Sequence, residues 1–153
     1  MNVCVIKTSS MGDVIHTLPA LTDAQRAIPH LSIDWVVEEN FAEIPRWHSA
    51  VNQIIPISLR RWRKSPFSAQ TKNEWKSYRT LLQANQYDTV IDAQGLFKSA
   101  FFATRLANGV KHGYDRKSIR EPIASLFYDK KYDISYQQHA VERIRQLFAQ
   151  ALS

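Results

Sequence analysis

The sequence predicts an open α/β fold, a parallel sheet with helices on both faces. Three observations carry this. Short apolar, β-branched runs recur along the chain and alternate with stretches of helical spacing, the pattern of β-α units. Most runs end in polar residues, several with Gly or Pro, as strands feeding loops do. The first unit, Val3 to Thr17 (VCVIKTSSMGDVIHT), shows strand, Ser/Gly loop and helix start in immediate succession.

Val3 to Lys7 is the first strand, apolar enough to be buried on both faces. Thr8 to Ser10 break that pattern, and Gly12 permits a tight bend or a close backbone approach. Apolar residues at Val14, Leu18 and Leu21 set a first helix over Val14 to Ala27, which Pro19 bends or delays. Pro29-His30 stop it. Leu31 to Val37 is the second strand, closed by Glu38, Glu39 and Asn40, and Phe41 to Trp47 leaves room for one or two helical turns. Val51 to Ile57 is the third strand, with Pro56 marking its end or a sheet edge. Ser58 to Lys72 reads as a polar, basic loop, and Asn73 to Ala84 as a helix on Trp75, Tyr78, Leu81 and Leu82. Tyr87 to Ala93 is the fourth strand, with Gln94-Gly95 as its exit. Leu96 to Leu106 is a helix that Asn108-Gly109 ends. Val110 to Tyr114 is a short fifth strand, Ile119 to Tyr128 a helix, and Gln137 to Leu152 an amphipathic last helix.

Length and composition fit this reading. A chain of 153 residues, 44% hydrophobic and 22% charged, suits one globular domain with a real core. The one cysteine, Cys4, excludes an internal disulfide, and its place inside a strand makes it a buried thiol rather than a nucleophile. No apolar run approaches the roughly 20 residues of a membrane span, and the chain enters a strand without a signal-peptide pattern, so a cytoplasmic location is expected.

Ligands of open α/β sheets bind at the carboxyl ends of the strands. At the first exit, Asp13 is either a helix cap or a general base, and Ser9-Ser10-Met11-Gly12 can offer backbone N–H groups to an anion. The loop is neither GxGxxG nor a Walker loop, there is no GxSxG elbow, and no His/Cys cluster has metal-ligand spacing. The third exit carries a basic block. Between Arg60 and Arg79 stand Arg60, Arg61, Arg63, Lys64, Lys72, Lys76 and Arg79 against one acid, Glu74. That local excess equals the net charge of +6 of the whole chain. Arginine forks suit phosphate and carboxylate. Trp62, Phe67 and Trp75 among them also permit a nucleic-acid patch. Later exits add Gln94, Gly95 and Lys98, then Lys111, His112, Arg116, Lys117 and Arg120, and finally His139.

Seven segments, in order along nearly the whole chain, resemble the lipopolysaccharide heptosyltransferases of glycosyltransferase family 9: KTSSMGDVIHTLPAL, WVVEENFAEIP, RRWRK, YDTVIDAQGLFKSA, VKHGYD, REPIASLFY and QQHAVER. The resemblance implies the Rossmann-like N-terminal half of a GT-B fold over residues 1–153, receiving the acceptor. The C-terminal half, which binds ADP-heptose, is expected to be absent from this chain, so that the chain alone transfers little or no sugar. It implies transfer of the first heptose to Kdo-lipid A with inversion, without metal or cofactor, by a peripheral enzyme on the inner face of the bacterial inner membrane. Asp13 falls on the family's proposed base. Ser10, Met11 and Gly12 beside it, with Arg60, Arg61, Arg63 and Lys64, are the expected acceptor contacts, as are Gln94, Gly95, Lys98, Arg120 and His139. No nucleic-acid partner is expected on this reading. The alternative is a non-catalytic α/β domain that binds nucleic acid or acidic lipid. The acceptor reading requires Asp13 and Arg60 to share one rim of the sheet.

Overall fold

The computed structural model describes all 153 residues. Strand β1 (Asn2–Ile6) lies at the centre of the sheet. It pairs in parallel with β2 (Ser32–Glu38) on one side and β4 (Thr89–Asp92) on the other. Beyond β2 lies β3 (Val51–Ile57), and beyond β4 lie β5 (Lys111–Tyr114) and β6 (Lys130–Tyr132), all parallel. The chain winds outward from β1 through β2 to β3, then crosses to β4 and winds the other way. Connections from β1 and β4 therefore leave in opposite directions, which opens a crevice between their carboxyl ends.

Alternation along the strands builds two cores. Val3, Val5, Ile33, Trp35 and Ile91 face the larger one, under helices α2 (Leu18–Ala27) and α6 (Ala140–Ala151). Cys4, Ile6, Val36 and Val90 face the smaller, under α3 (Leu59–Lys64), α4 (Ala69–Gln83) and the residues that continue α5 (Phe97–Ser99). Cys4 is fully buried, and burial pushes its thiol far above the ordinary range.

Five expectations need correction. The sheet has six strands, not five: Lys130–Tyr132 is too short and too charged to read as a strand, yet a polar strand of three residues suits a sheet edge. The first helix is two helices, α1 (Met11–Ile15) and α2, because Thr17 bonds back to the Asp13 carbonyl at 3.0 Å and Pro19 fits only a helix's first turn. The expected basic loop holds α3 and the start of α4; Trp62 buries one face of α3 while its five other residues mask the helical pattern. The expected helix over Leu96 to Leu106 is short, with Ala100–Thr104 wound as a π-type segment. Ile119 to Tyr128 is not an α-helix but a 3₁₀ segment, Pro122–Phe127. Tyr128 leaves it to pack on β5, where a Cβ at Gly113 would lie 2.2 Å from its ring, so only glycine fits there.

Candidate functional site

The crevice is stiffened before anything could bind in it. Asp92, at the end of β4, is fully buried and accepts five donors: the N–H groups of Gln94 (2.9 Å) and Gly95 (3.0 Å), and the hydroxyls of Ser99 (3.2 Å), Thr104 (2.9 Å) and Tyr128 (2.7 Å). Burial raises its carboxyl above the usual value, and these bonds pull it back. Gly95 turns the chain at φ +70°, a conformation that suits glycine. Gln94 then reaches across to the β1 exit, where its Oε1 accepts the N–H of Thr8 (3.1 Å) and of Ser9 (3.4 Å). Both residues are thus spent on loop geometry. Lys7, buried at the end of β1, donates to the Ala93 carbonyl at 3.0 Å, and its own carbonyl accepts Trp35 Nε1 at 2.9 Å.

Asp13 stands on α1 directly above this loop, half-buried. Ser10 donates to it twice, from its N–H (3.2 Å) and its hydroxyl (3.3 Å), and both bonds fall on Oδ2. Oδ1 has no partner in the chain. Gly12 is not the tight bend that its type suggested: it sits inside α1, and a Cβ there would meet nothing within 4 Å. The fold does not demand a glycine at this position, and its absent side chain leaves open space beside Asp13. Met11, next to it, is exposed.

On one flank of α1 opens a cleft of about 630 Å³, between the β1 loop, the β2 exit, α3, α4 and α5. Ser10, Arg60, Arg63, Lys72 and Lys98 line it, with Trp62, Trp75 and Phe102 among its apolar walls. Glu38 is its one acid. Burial, then the neighbouring Glu39, pushes that carboxyl up, while Arg60 and Lys98 draw it down. Ser10 bonds Asp13 and lines the cleft together with Arg60, which links the acid's loop to the cleft.

Not every expected residue faces this space. Arg61 is turned away and bridges Glu39 (2.9 Å) and Glu74 (2.7 Å), tying α3 to the β2 exit and to α4. Lys64 is exposed outside the cleft. Trp62 does reach the cleft wall, but it is mostly buried against Trp75 and Tyr78, with Nε1 bonded to Glu74 at 2.8 Å, so little of its ring is left for a base to stack on. Neither Arg120 nor His139 lines the cleft. His139 Nδ1 caps α6 by accepting the Val141 N–H (3.2 Å), and its ring stands 5.6 Å from that of His16. Arg143 lies between the rings of Tyr114 and Tyr136 and donates to the Ser118 carbonyl. Burial lowers the pKa of Lys7 most, Asp13 and Asp92 raise it, and Arg143 and Arg120 lower it again.

Sequence reasoning missed Lys7, Glu38 and Lys72. A signal existed for Lys7, a lone cation closing an otherwise apolar strand. Glu38 was visible only as a strand end, and Lys72 only as part of the basic block. No three His, Cys, Asp or Glu side chains converge as metal ligands would, and no helix is long and apolar enough to cross a membrane.

Comparison with known proteins identifies the family and the fold. The family model for glycosyltransferase family 9 (heptosyltransferase) matches residues 75–153. Lipopolysaccharide heptosyltransferase 1 of Escherichia coli K12 is 64% identical over 152 residues, 99% of this chain and 48% of that protein. The Pseudomonas aeruginosa protein of that name is 57% identical over 99% of this chain and 43% of its own length. The solved structure of E. coli heptosyltransferase WaaC with ADP superposes with a TM-score of 0.99 at 64% identity, over all of this chain and 48% of that one. The structure of E. coli heptosyltransferase II shares the fold, with a TM-score of 0.72 at 19% identity, over 97% of this chain and 40% of that one. The chain spans about half the length of the relatives it matches. By sequence and by fold, this chain belongs to glycosyltransferase family 9, the heptosyltransferases.

Proposed function

We propose that this chain is the acceptor-binding half of an inverting heptosyltransferase that moves heptose from ADP-heptose to the Kdo of Kdo-lipid A. One observation supports the reading most: Ser10, which bonds Asp13, also lines the cleft that Arg60, Arg63 and Lys98 line. Arg60, Arg63 and Lys98 bind the carboxylates and phosphates of the acceptor, with Lys72 at the edge. The acceptor hydroxyl lies against Asp13 Oδ1, the oxygen without a partner, in the space beside Gly12. As that hydroxyl's oxygen bonds to the anomeric carbon from the face opposite the leaving group, the bond to the diphosphate breaks and ADP departs. The hydroxyl proton passes to Asp13. An ordinary carboxylate is a weak base for a sugar hydroxyl, so Asp13 takes the proton late, once the bond to the anomeric carbon is largely formed. Before that it orients the hydroxyl. Donor binding and neutralisation of the leaving diphosphate fall to a second domain facing this rim. The acceptor is membrane-borne, so the protein works at the cytoplasmic face of the inner membrane.

Equilibrium binding of the soluble acceptor head group to this chain tests the assignment. Wild type binds it in a salt-dependent way, and Arg60→Ala with Arg63→Ala weakens binding about tenfold or more, two charge-assisted contacts being lost. Unchanged affinity in the double variant contradicts the assignment. So does tight, salt-steep binding of polynucleotides with no response to the Kdo sugar, which favours the nucleic-acid alternative.

A further inference from the structure

We propose that the chain docks on an anionic bilayer through an apolar belt running from the α3–α4 turn, past the mouth of the cleft, to the 3₁₀ segment after β5. This rests on the reading of the acceptor as lipid-borne. The α3–α4 turn lifts Phe67 into solvent, 85% exposed. Its neighbour Pro66 lines the cleft beside Trp75 and Phe102. From Phe102 a chain of ring contacts leads outward, to Phe101 (5.0 Å), Phe97 (5.5 Å) and Phe127 (6.0 Å between centroids). It ends beside Leu126, 75% exposed. A lone exposed apolar side chain means little, but here the half-buried rings of Phe101, Phe102 and Phe127 link exposed Phe97 to exposed Leu126 and Ile123, a surface that something covers.

Charge identifies the cover. Exposed Arg63 and Lys64 precede Phe67 on the same turn, Arg63 and Lys72 line the cleft with Pro66, Lys98 adjoins Phe97 in sequence, and the Arg105 guanidinium lies 4.2 Å over the Phe101 ring. The acids along the belt are engaged or enclosed. Glu74 is held by Arg61, Trp62 and Gln70, Glu121 accepts the Phe97 N–H at 2.7 Å, and Glu38 lies within the cleft. Aromatic rings interleaved with cations are what a membrane interface with anionic head groups recruits. A second copy of this chain would meet the same positive charge and be repelled. Docked this way, the cleft mouth faces the lipid surface, and an acceptor head group enters while its acyl chains stay in the bilayer.

Co-sedimentation with phosphatidylcholine vesicles, with and without phosphatidylglycerol, tests this. The chain is expected to pellet with the anionic vesicles, far less with the neutral ones, and to be released by salt. Phe67→Ser with Leu126→Ser lowers the bound fraction about fivefold or more, because two insertion points are lost. Its thermal unfolding stays unchanged, since both side chains are exposed. Trp47→Ser, at a residue 61% exposed but outside the belt, leaves binding as it was. Failure to pellet with anionic vesicles overturns the proposal. Undiminished pelleting of the double variant does the same, as does a concentration-dependent dimer that these substitutions dissolve. Head-group binding in the same samples separates the two readings: its absence overturns the acceptor assignment, while anionic vesicle binding through Phe67 and Leu126 still supports the belt.

Discussion

The two oxygens of Asp13 are used differently. Oδ2 takes both bonds from Ser10, which holds the carboxylate in place, and Oδ1 has no partner in the chain, the oxygen our proposal gives to the acceptor hydroxyl. The sequence left a cap and a base as alternatives; the geometry is compatible with one residue doing both. Asn keeps an oxygen for Ser10 but cannot take a proton. In a protein extended to the length of its relatives, Asp13→Asn is expected to cut kcat about a hundredfold or more, with acceptor affinity little changed. A variant within a few-fold of wild type reduces Asp13 to a cap. Steady-state kinetics with both substrates decides it. The arginines show where residue-level reading stops. Four cations stand within five positions in RRWRK, and composition cannot say which face of α3 each occupies. Only Arg60 and Arg63 line the cleft, three positions apart on one side of a helix, while Arg61 turns to two glutamates distant in sequence.

At the scale of elements, the β4 exit is organised by Asp92. Its five donors come from the loop, from α5 and its extension, and from Tyr128 beyond β5. Asp92→Ala strands these buried donors and is expected to cost about 4 kcal/mol of stability. Asp92→Asn costs less, since its oxygen still serves the two N–H groups and the hydroxyls can rotate to accept. Urea unfolding measures both. The pH dependence has a definite sign. The folded Asp92 titrates above its unfolded value, so its burial penalty is absent below the ordinary carboxylate range and develops as pH rises through the window between the two values. The Asn variant lacks that slope. An Ala variant as stable as wild type would remove Asp92 from this role. The elements themselves were largely legible. β1 to β4 fell near their expected places because buried parallel strands are dense in β-branched and apolar residues; β5, KHGY, has no such density and is marked only by the Asn108-Gly109 stop before it. β6 escaped because an edge strand of three residues needs no apolar face, and the split at Thr17 escaped because helical spacing continues across it.

Across the whole molecule, strand order positions the site. Five strands and their sequence order do not say where the winding reverses, so the crevice between β1 and β4 could not be read from the chain; only the rule that loops at carboxyl ends carry ligands could. Ser10, Arg60 and Lys98 line one cleft and Asp13 is bonded to Ser10, but the rule does not tell which of the other expected residues line it. Arg120 and His139 do not line the space that holds Arg60; His139 stands by His16 at the end of α1, and the charge of Arg120 acts on Lys7. The central claim is that one anionic acceptor touches Asp13 and the cleft arginines at once. Titrating the isotope-labelled chain with the soluble acceptor head group and following side-chain and backbone resonances tests it most directly. The account predicts that Ser10, Asp13, Arg60, Arg63 and Lys98 shift together along one saturation curve. Asp13 and Arg60 responding with different affinities, or remaining still while resonances elsewhere move, would contradict it.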